Sequence, residues 1–418
     1  MKFYHIKLDR EILKYYWGPK IIISIFAVIF YKYIHFQNEY FLTPENIFQS
    51  PDIKVYLRTI AYSPLYSISV QFLTKFSFGF ILKTFLSQLI VAFSCVSIYK
   101  STKTLLKEKL TPLSLSLMAI NPILVIYSFK FCTEIFALLG ISILIRYRVK
   151  DIKLDKIKIG RSDLNYFFKL LIISLFRAQF VVVSFFEIAI IGISKYMKSN
   201  EISLNRLKNL IKLIVASIIF LSLINIFLQL NREYFDLFVS NLWDNSYPIK
   251  PKQIYEFLCN NSCSSYNFLI KKIIALLAYV IYIPISIILL TGARGRFTDL
   301  PWEINLGLIK IQSVKKILPG NNLEELLSNF DQNFFIITVI TPLIILSIFH
   351  IIGYIFWIKN INKYSIFLWV SPIMLCVPPL LFYPYFRYFI PLIPLTCIGF
   401  SFFIEKLKFK NLKFIFSK

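Results

Sequence analysis

The sequence predicts an all-α integral membrane fold, with about ten to twelve transmembrane helices and short amphipathic helices in the first external loop. Three observations carry this expectation. Hydrophobic residues make up 57% of the 418-residue chain, and its mean hydropathy is +0.65, more apolar surface than a soluble protein of this length can hide. The apolar residues fall into long runs, and no polar stretch between them is large enough to fold as a domain alone, so residues 1–418 read as one polytopic unit. Finally, the net charge of +25, from 47 Lys and Arg against 22 Asp and Glu, is laid down in short basic runs between the apolar ones. That distribution marks cytoplasmic loops and argues against nucleic acid as a partner.

The first span runs from Ile21 to about Ile34, preceded by Lys2, Lys7, Arg10, Lys14 and Lys20 and lacking a small-residue cleavage site, so it reads as a start-transfer helix. A polar, aromatic-rich external loop occupies residues 35–63. An apolar stretch from Leu65 to Phe80 and a span from about Ile81 to Tyr99 follow, and the basic run from Lys100 to Lys109 marks a cytoplasmic loop. Leu113 to Tyr127 and Phe131 to Ile145 form a tight hairpin, and the basic stretch Arg146 to Arg161 returns to the cytoplasm. Tyr166 to Tyr196 is too long for one crossing and is interrupted by Arg177, Gln179 and Glu187, which predicts two short helices meeting near Arg177.

Further on, about Leu213 to Leu230 crosses outward, and about Ile273 to Leu290 crosses again. The mixed-charge loop Asn231 to Asn267 and the polar segment at residues 291–333 both come out external by the charge rule, although a single crossing separates them. Either Ile273 to Leu290 is a re-entrant pair kinked at Pro284 or an earlier crossing is misassigned. Phe335 to Trp357, Phe367 to Leu381 and Phe389 to Ile404 complete the chain before a basic tail.

Cys95, Cys132, Cys376 and Cys397 sit in apolar runs as small hydrophobes, while Cys259 and Cys263 share a polar loop and are either free thiols or a pair in an oxidising compartment. Only His5, His35 and His350 are available, so no metal-binding cluster is expected. No cofactor is expected either, and no Gly-rich phosphate loop is present.

Ionisable residues at membrane boundaries are the candidates for chemistry. Asp52 follows the first span, with Tyr56 one helical turn later, and Asp52 after Pro51 would also serve as an ordinary helix-start charge. Glu134 opens an apolar helix just after a tight turn, where it favours the helix dipole. Arg177 sits at the tip of two short helices. Arg387 precedes Tyr388 among spaced prolines, where it would snorkel to the interface or hold a phosphate with its forked donors.

The order of these residues resembles the polytopic glycosyltransferases of the GT-C class, nearest the protein O-mannosyltransferase-like and aminoarabinose-transferase-like members. The matching features are Asp52-x-x-x-Tyr56, Tyr127-Ser128 with Thr133-Glu134, Arg177 at a hairpin tip, and Arg387-Tyr388 with Pro391 and Pro394. The resemblance covers about residues 20–195 and 365–405. It departs from the family in having a lone Asp52 rather than an acidic pair, and no proline after the Arg177 hairpin.

The resemblance implies transfer of a sugar from a polyprenyl-phosphate-linked donor to a glycan, lipid or protein acceptor on the external face. Asp52 would be the catalytic base, and Tyr56, Glu134, Arg177, Arg387 and Tyr388 would bind substrate. The setting would be a multi-pass cell-envelope glycan enzyme, in the inner membrane of a bacterium or the endoplasmic reticulum of a eukaryote. Two alternatives remain at this point: a polymerase or ligase of lipid-linked glycans using the 291–333 segment, and a polytopic transporter or flippase, which would more often carry an internal repeat.

Overall fold

The computed structural model describes residues 9–29, 64–76, 79–106, 110–129, 131–154, 161–177, 180–197, 341–376 and 388–416, with single positions between 258 and 287. Among them every regular element is helical and no strand occurs. Three helices, Ile81–Leu106, Ile344–Ile361 and Ile390–Leu407, are long and apolar enough to cross a membrane. The loop expected at residues 35–63, the 291–333 segment and the span expected from about Leu213 to Leu230 lie outside the described residues.

A π turn at Leu13–Trp17, closed by the Gly18 N–H on the Leu13 carbonyl, leads into α1 (Gly18–Ile29). Next come α2 (Pro64–Thr74) and the long α3 (Gly79–Leu106). Helix α3 shows why the chain suits lipid. Its large apolar side chains Ile81, Phe85, Leu89 and Phe93, spaced four apart, are exposed on one face, whereas Ser87, Ser94, Cys95 and Ser101 are buried on the other. Lipid tails are as apolar as leucine, so helices there associate through small residues that let backbones approach. The Ser87 and Ser94 hydroxyls each donate to the carbonyl one turn back, which satisfies them without a partner helix.

The segment expected as one span from Leu113 to Tyr127 is two helices, α4 (Leu113–Ile120) and α5 (Pro122–Ser128). Asn121 breaks it: its side-chain oxygen accepts from the N–H groups of Ile123 and Leu124, and Pro122 fills the first helical position. Helix α6 (Thr133–Leu154) is followed by α7 (Arg161–Phe176) and α8 (Phe180–Met197), which meet at Arg177 as the charge pattern predicts. The Arg177 N–H bonds to Ile173 O, and Arg177 O accepts from the Phe180 N–H.

Two basic stretches expected as loops are helical. Helix α3 continues through Lys100 and Lys103, whose charges meet Asp9 and Glu11. Helix α6 continues through Arg146 and Arg148 to Leu154, because the Arg148 charge is offset by a carboxylate on α8. Charge density alone had suggested solvated chain at both places, and pairing overrides it.

Helices α9 (Thr341–Ile361), α10 (Phe367–Ile373) and α11 (Ile393–Phe416) form the C-terminal part, α11 entered through a 3-10 turn at Ile390–Leu392. Helix α11 is central, buried at Ile393, Leu395, Thr396, Cys397, Ile398 and Ser401. It runs parallel to α9: the His350 ring faces Phe389, Gly353 faces Thr396, and Phe356 faces Phe403. At the crossing a Cβ on Gly399 would fall on the Gly353 carbonyl and within 2.7 Å of the Trp357 nitrogen. Only glycine permits that backbone approach.

These contacts define two ends. Glu11 bonds Tyr99 and Lys103, and continuous helix carries the chain from there to Lys20, which bonds Ser128 just before α6 begins. Tyr66, Phe131, Glu134, Arg177 and Tyr388 then gather at one end. Connectivity puts Lys150, Lys153, Arg161, Lys359, Lys363 and Lys406 towards the other, with Lys100 and Lys103.

Candidate functional site

Glu134 lies in the first turn of α6, and the Arg177 guanidinium reaches it from the α7–α8 junction. The Arg177 Nη1–Glu134 Oε1 distance is 2.8 Å, with side-chain exposures of 3% and 1%. Nη1 also donates to Thr133 Oγ1 at 2.6 Å, and that hydroxyl donates to Glu134 Oε2 at 3.2 Å. The carboxylate therefore receives a guanidinium, a hydroxyl and the positive end of α6, three effects of the same sign. Above this pair the Tyr388 ring lies with its centroid 5.0 Å from the Arg177 Cζ, a cation–π contact. The Tyr388 carbonyl accepts from the Cys376 thiol at 3.6 Å, which ties the turn after α10 to the same place.

An aromatic wall encloses the pair. Tyr66 of α2 donates to the Phe131 carbonyl at 2.9 Å. Phe131 and Phe136 meet edge to face at 5.5 Å, and Phe136 stacks on Phe176 at 4.1 Å. Phe180, opening α8, packs against Gly140, where an added Cβ would lie 2.7 Å or less from the ring.

Of the six residues singled out in the sequence, Glu134, Arg177 and Tyr388 are brought together, from positions up to 254 apart. Asp52, Tyr56 and Arg387 lie outside the described residues. One relation was not legible: Glu134 and Arg177 were read as independent substrate contacts, and they form a buried pair with each other.

A second ionic cluster lies deeper. Arg148 is 14 residues beyond Glu134 on α6, so about 21 Å further along the helix axis. Its Nε and Nη2 each lie 2.9 Å from one oxygen of Glu187 on α8, a bidentate pair. Tyr166 donates to Glu187 Oε2 at 2.7 Å, and Ser371 of α10 donates to Oε1. The Tyr147 ring stacks on Tyr166 with centroids 3.8 Å apart, and its hydroxyl donates to Asp163. Four helices, α6, α7, α8 and α10, are joined through one carboxylate. Sequence reasoning missed this cluster because Arg148 stands in a basic run, and Glu187 was read only as an interruption. A lone carboxylate within an apolar run was the available signal.

A third buried cation among the described residues, Lys20, belongs to α1 and was expected among the flanking basic residues. It is 4% exposed, and its ammonium donates to Ser128 Oγ at 2.7 Å.

No group of three or more His, Cys, Asp or Glu among the described residues is arranged to hold a metal ion. No family model matches the chain, and neither the curated proteins nor the solved structures contain one significantly similar to it.

Proposed function

We propose that this chain is a polytopic membrane glycosyltransferase of the GT-C type, moving a sugar from a polyprenyl-phosphate-linked donor to an acceptor on the external face. The observation that carries the proposal is the convergence of Glu134, Arg177 and Tyr388 at the end of the helices remote from most of the basic residues. By the charge rule the basic end is cytoplasmic, which makes the Glu134 end external. A buried ion pair there, with Tyr388 stacked on its guanidinium, fixes the chain next in sequence to Arg387, the cation that a departing phosphate would require.

In the proposed reaction Asp52 takes the proton of an acceptor hydroxyl as its oxygen forms a bond to the anomeric carbon of the sugar. The bond from that carbon to the phosphate oxygen breaks, and the electron pair leaves with the lipid phosphate. Arg387, next to Tyr388 in sequence, would meet the developing negative charge. Arg177, fixed by Glu134 and Thr133, would hold the Tyr388 ring and add its field. Tyr56 would bind the sugar or the acceptor. The apolar faces of α1 and α3 leave room for the prenyl tail in the bilayer.

The test is sugar transfer by the full chain in lipid vesicles, using a prenyl-phosphate-linked sugar as donor. Asp52→Asn is expected to insert and accumulate normally but transfer nothing. Full activity in that variant would remove Asp52 from the role.

A second reading, transport, is favoured by the Arg148–Glu187 cluster, since external transfer chemistry needs no buried charge so far from the Glu134 end. Transport would give substrate flux across vesicles with no covalent product, and substitutions at Glu187 would then be more damaging than those at Asp52.

A further inference from the structure

Helices α6 and α7 carry five exposed cations towards the basic end, and helical geometry puts them on one side. Successive residues lie about 100° apart round a helix. On α6, Tyr147 stacks on Tyr166 and so marks the side of α7, while Arg148 pairs with Glu187 and marks the side of α8. Arg146, Lys150 and Lys153 are exposed, and they fall about 60–120° round from Tyr147 in the sense opposite to Arg148. On α7, Ser174 meets Ser184 of α8 and lies about 80° to one side of Tyr166. The exposed Arg161, Asn165 and Lys169 lie about 60–140° to the other side. Both stripes therefore face away from α8, on the same side of the α6–α7 pair.

Their heights agree as well. Counting along each helix from the stacked tyrosines, Arg146 and Lys169 come within about 3 Å of each other, and Lys153 and Arg161 lie about 8–9 Å further in than the rings. Among the described residues no carboxylate pairs with any of these five cations. Asp163 is buried and accepts from Tyr147, and Asp151, half-buried, falls between Tyr147 and Arg148 round α6.

Cations at a helix end ordinarily bend back to water. This patch runs about 12 Å along the helices, deeper than a headgroup layer of about 5–8 Å. With Lys153 and Arg161 at headgroup level, Arg146 and Lys169 stand beside the acyl chains, where a charge is costly unless an anion meets it. Further out on the same side the surface turns apolar. Leu139 and Ile143 of α6 and Ile172 of α7 are half-buried there, in the direction that the chains of an inner-leaflet lipid run. Cationic clefts between helices on the cytoplasmic side suit lipid phosphates for this reason.

We infer that this face of α6 and α7 seats an anionic phospholipid of the cytoplasmic leaflet, with its phosphates among Arg146, Lys150 and Lys169 and its chains along Leu139, Ile143 and Ile172. The inference draws on the two-ended arrangement alone and stands apart from the sugar-transfer reading.

The experiment titrates the purified full chain in detergent with cardiolipin, which carries two phosphates, and with zwitterionic phosphatidylcholine, reading the first bound lipid by native mass spectrometry. Cardiolipin is expected to bind at least tenfold more tightly. The triple variant Arg146→Gln, Lys150→Gln, Lys169→Gln should lose that preference and, its changes being on the surface, melt with wild type in detergent alone. A control, Lys359→Gln, Lys363→Gln, Lys406→Gln, removes as many exposed charges from the same end and should bind cardiolipin within twofold of wild type. Equal binding of the two lipids by wild type, or equal losses in the two triple variants, overturns the inference, since only general attraction to the basic end would remain. So does undiminished cardiolipin binding by the α6–α7 variant, or a melting temperature for it well below wild type without lipid, which would make the three cations structural. Displacement of cardiolipin by an equal concentration of inorganic phosphate would overturn the lipid assignment.

Discussion

Replacing Arg148 with methionine tests the energetic logic of the deeper cluster most directly. The Arg148 and Glu187 side chains are 5% and 0% exposed, and both carboxylate oxygens are engaged by the guanidinium. Removing one member of a buried pair typically costs about 3–5 kcal/mol, because the remaining charge is left uncompensated. Here Glu187 keeps the hydroxyls of Tyr166 and Ser371, and hydrogen bonds to a charged group are worth about 1.5–3 kcal/mol each. The expected loss is therefore near the lower figure, about 3 kcal/mol. At roughly 1 °C per kcal/mol for a chain of this length, the melting temperature should fall by roughly 3 °C.

Arg148→Met with Glu187→Gln removes both charges and leaves an acceptor for Tyr166 and Ser371. This double variant should recover to within about 1 kcal/mol of wild type, about 2 kcal/mol more stable than the Arg148→Met single. The assay is thermal unfolding of the purified chain in one fixed detergent, read by loss of the monodisperse peak. Two results would refute the reasoning: a single variant indistinguishable from wild type, or a double variant less stable than the single. Either would mean that the pair is not what joins α6 to α8.

Three further expectations follow from the packing. Gly399→Ala places a methyl on the Gly353 carbonyl, so α9 and α11 must separate; the expected loss is about 1–3 kcal/mol, visible in the same melting assay, whereas Ala at the exposed Ile345 should be nearly silent. Arg177→Lys keeps the charge but loses the planar fork that stacks on Tyr388, so sugar transfer should fall by on the order of tenfold or more while the chain still accumulates. With Cys259 and Cys263 replaced by serine, single cysteines introduced as Lys363→Cys and Arg161→Cys should be labelled by an impermeant thiol reagent from one side of sealed vesicles, and Lys75→Cys from the other. Labelling of all three from one side would contradict the two-ended arrangement on which the site depends.

The helical character of the described segments, three of them long and apolar enough to cross a membrane, was legible in the sequence. A chain this apolar, with cations confined to the breaks, can satisfy its backbone in a bilayer only by internal hydrogen bonding, and helices do that within each segment. The junction at Arg177 was legible for the same reason, since an apolar run longer than one crossing must turn where its charges fall. Asn121 with Pro122 was equally readable as a cap but was passed over, because hydropathy does not register side-chain oxygens.

Charge pairing was decided by the tertiary structure alone. Arg148 resembles its solvated neighbours Arg146 and Lys150 until α8 presents Glu187 to it. Lys20 resembles a flanking lysine until α5 closes over it. Glu134 and Arg177 are 43 residues apart in sequence and share a bond only because α6 and α7 return to the same end. Local sequence sets which segments become helices, because that depends on solvation of the backbone and of one apolar face. Which buried charge meets which depends on helix crossings between distant segments, and Gly353 with Gly399 shows how such crossings are fixed by shape rather than by pattern.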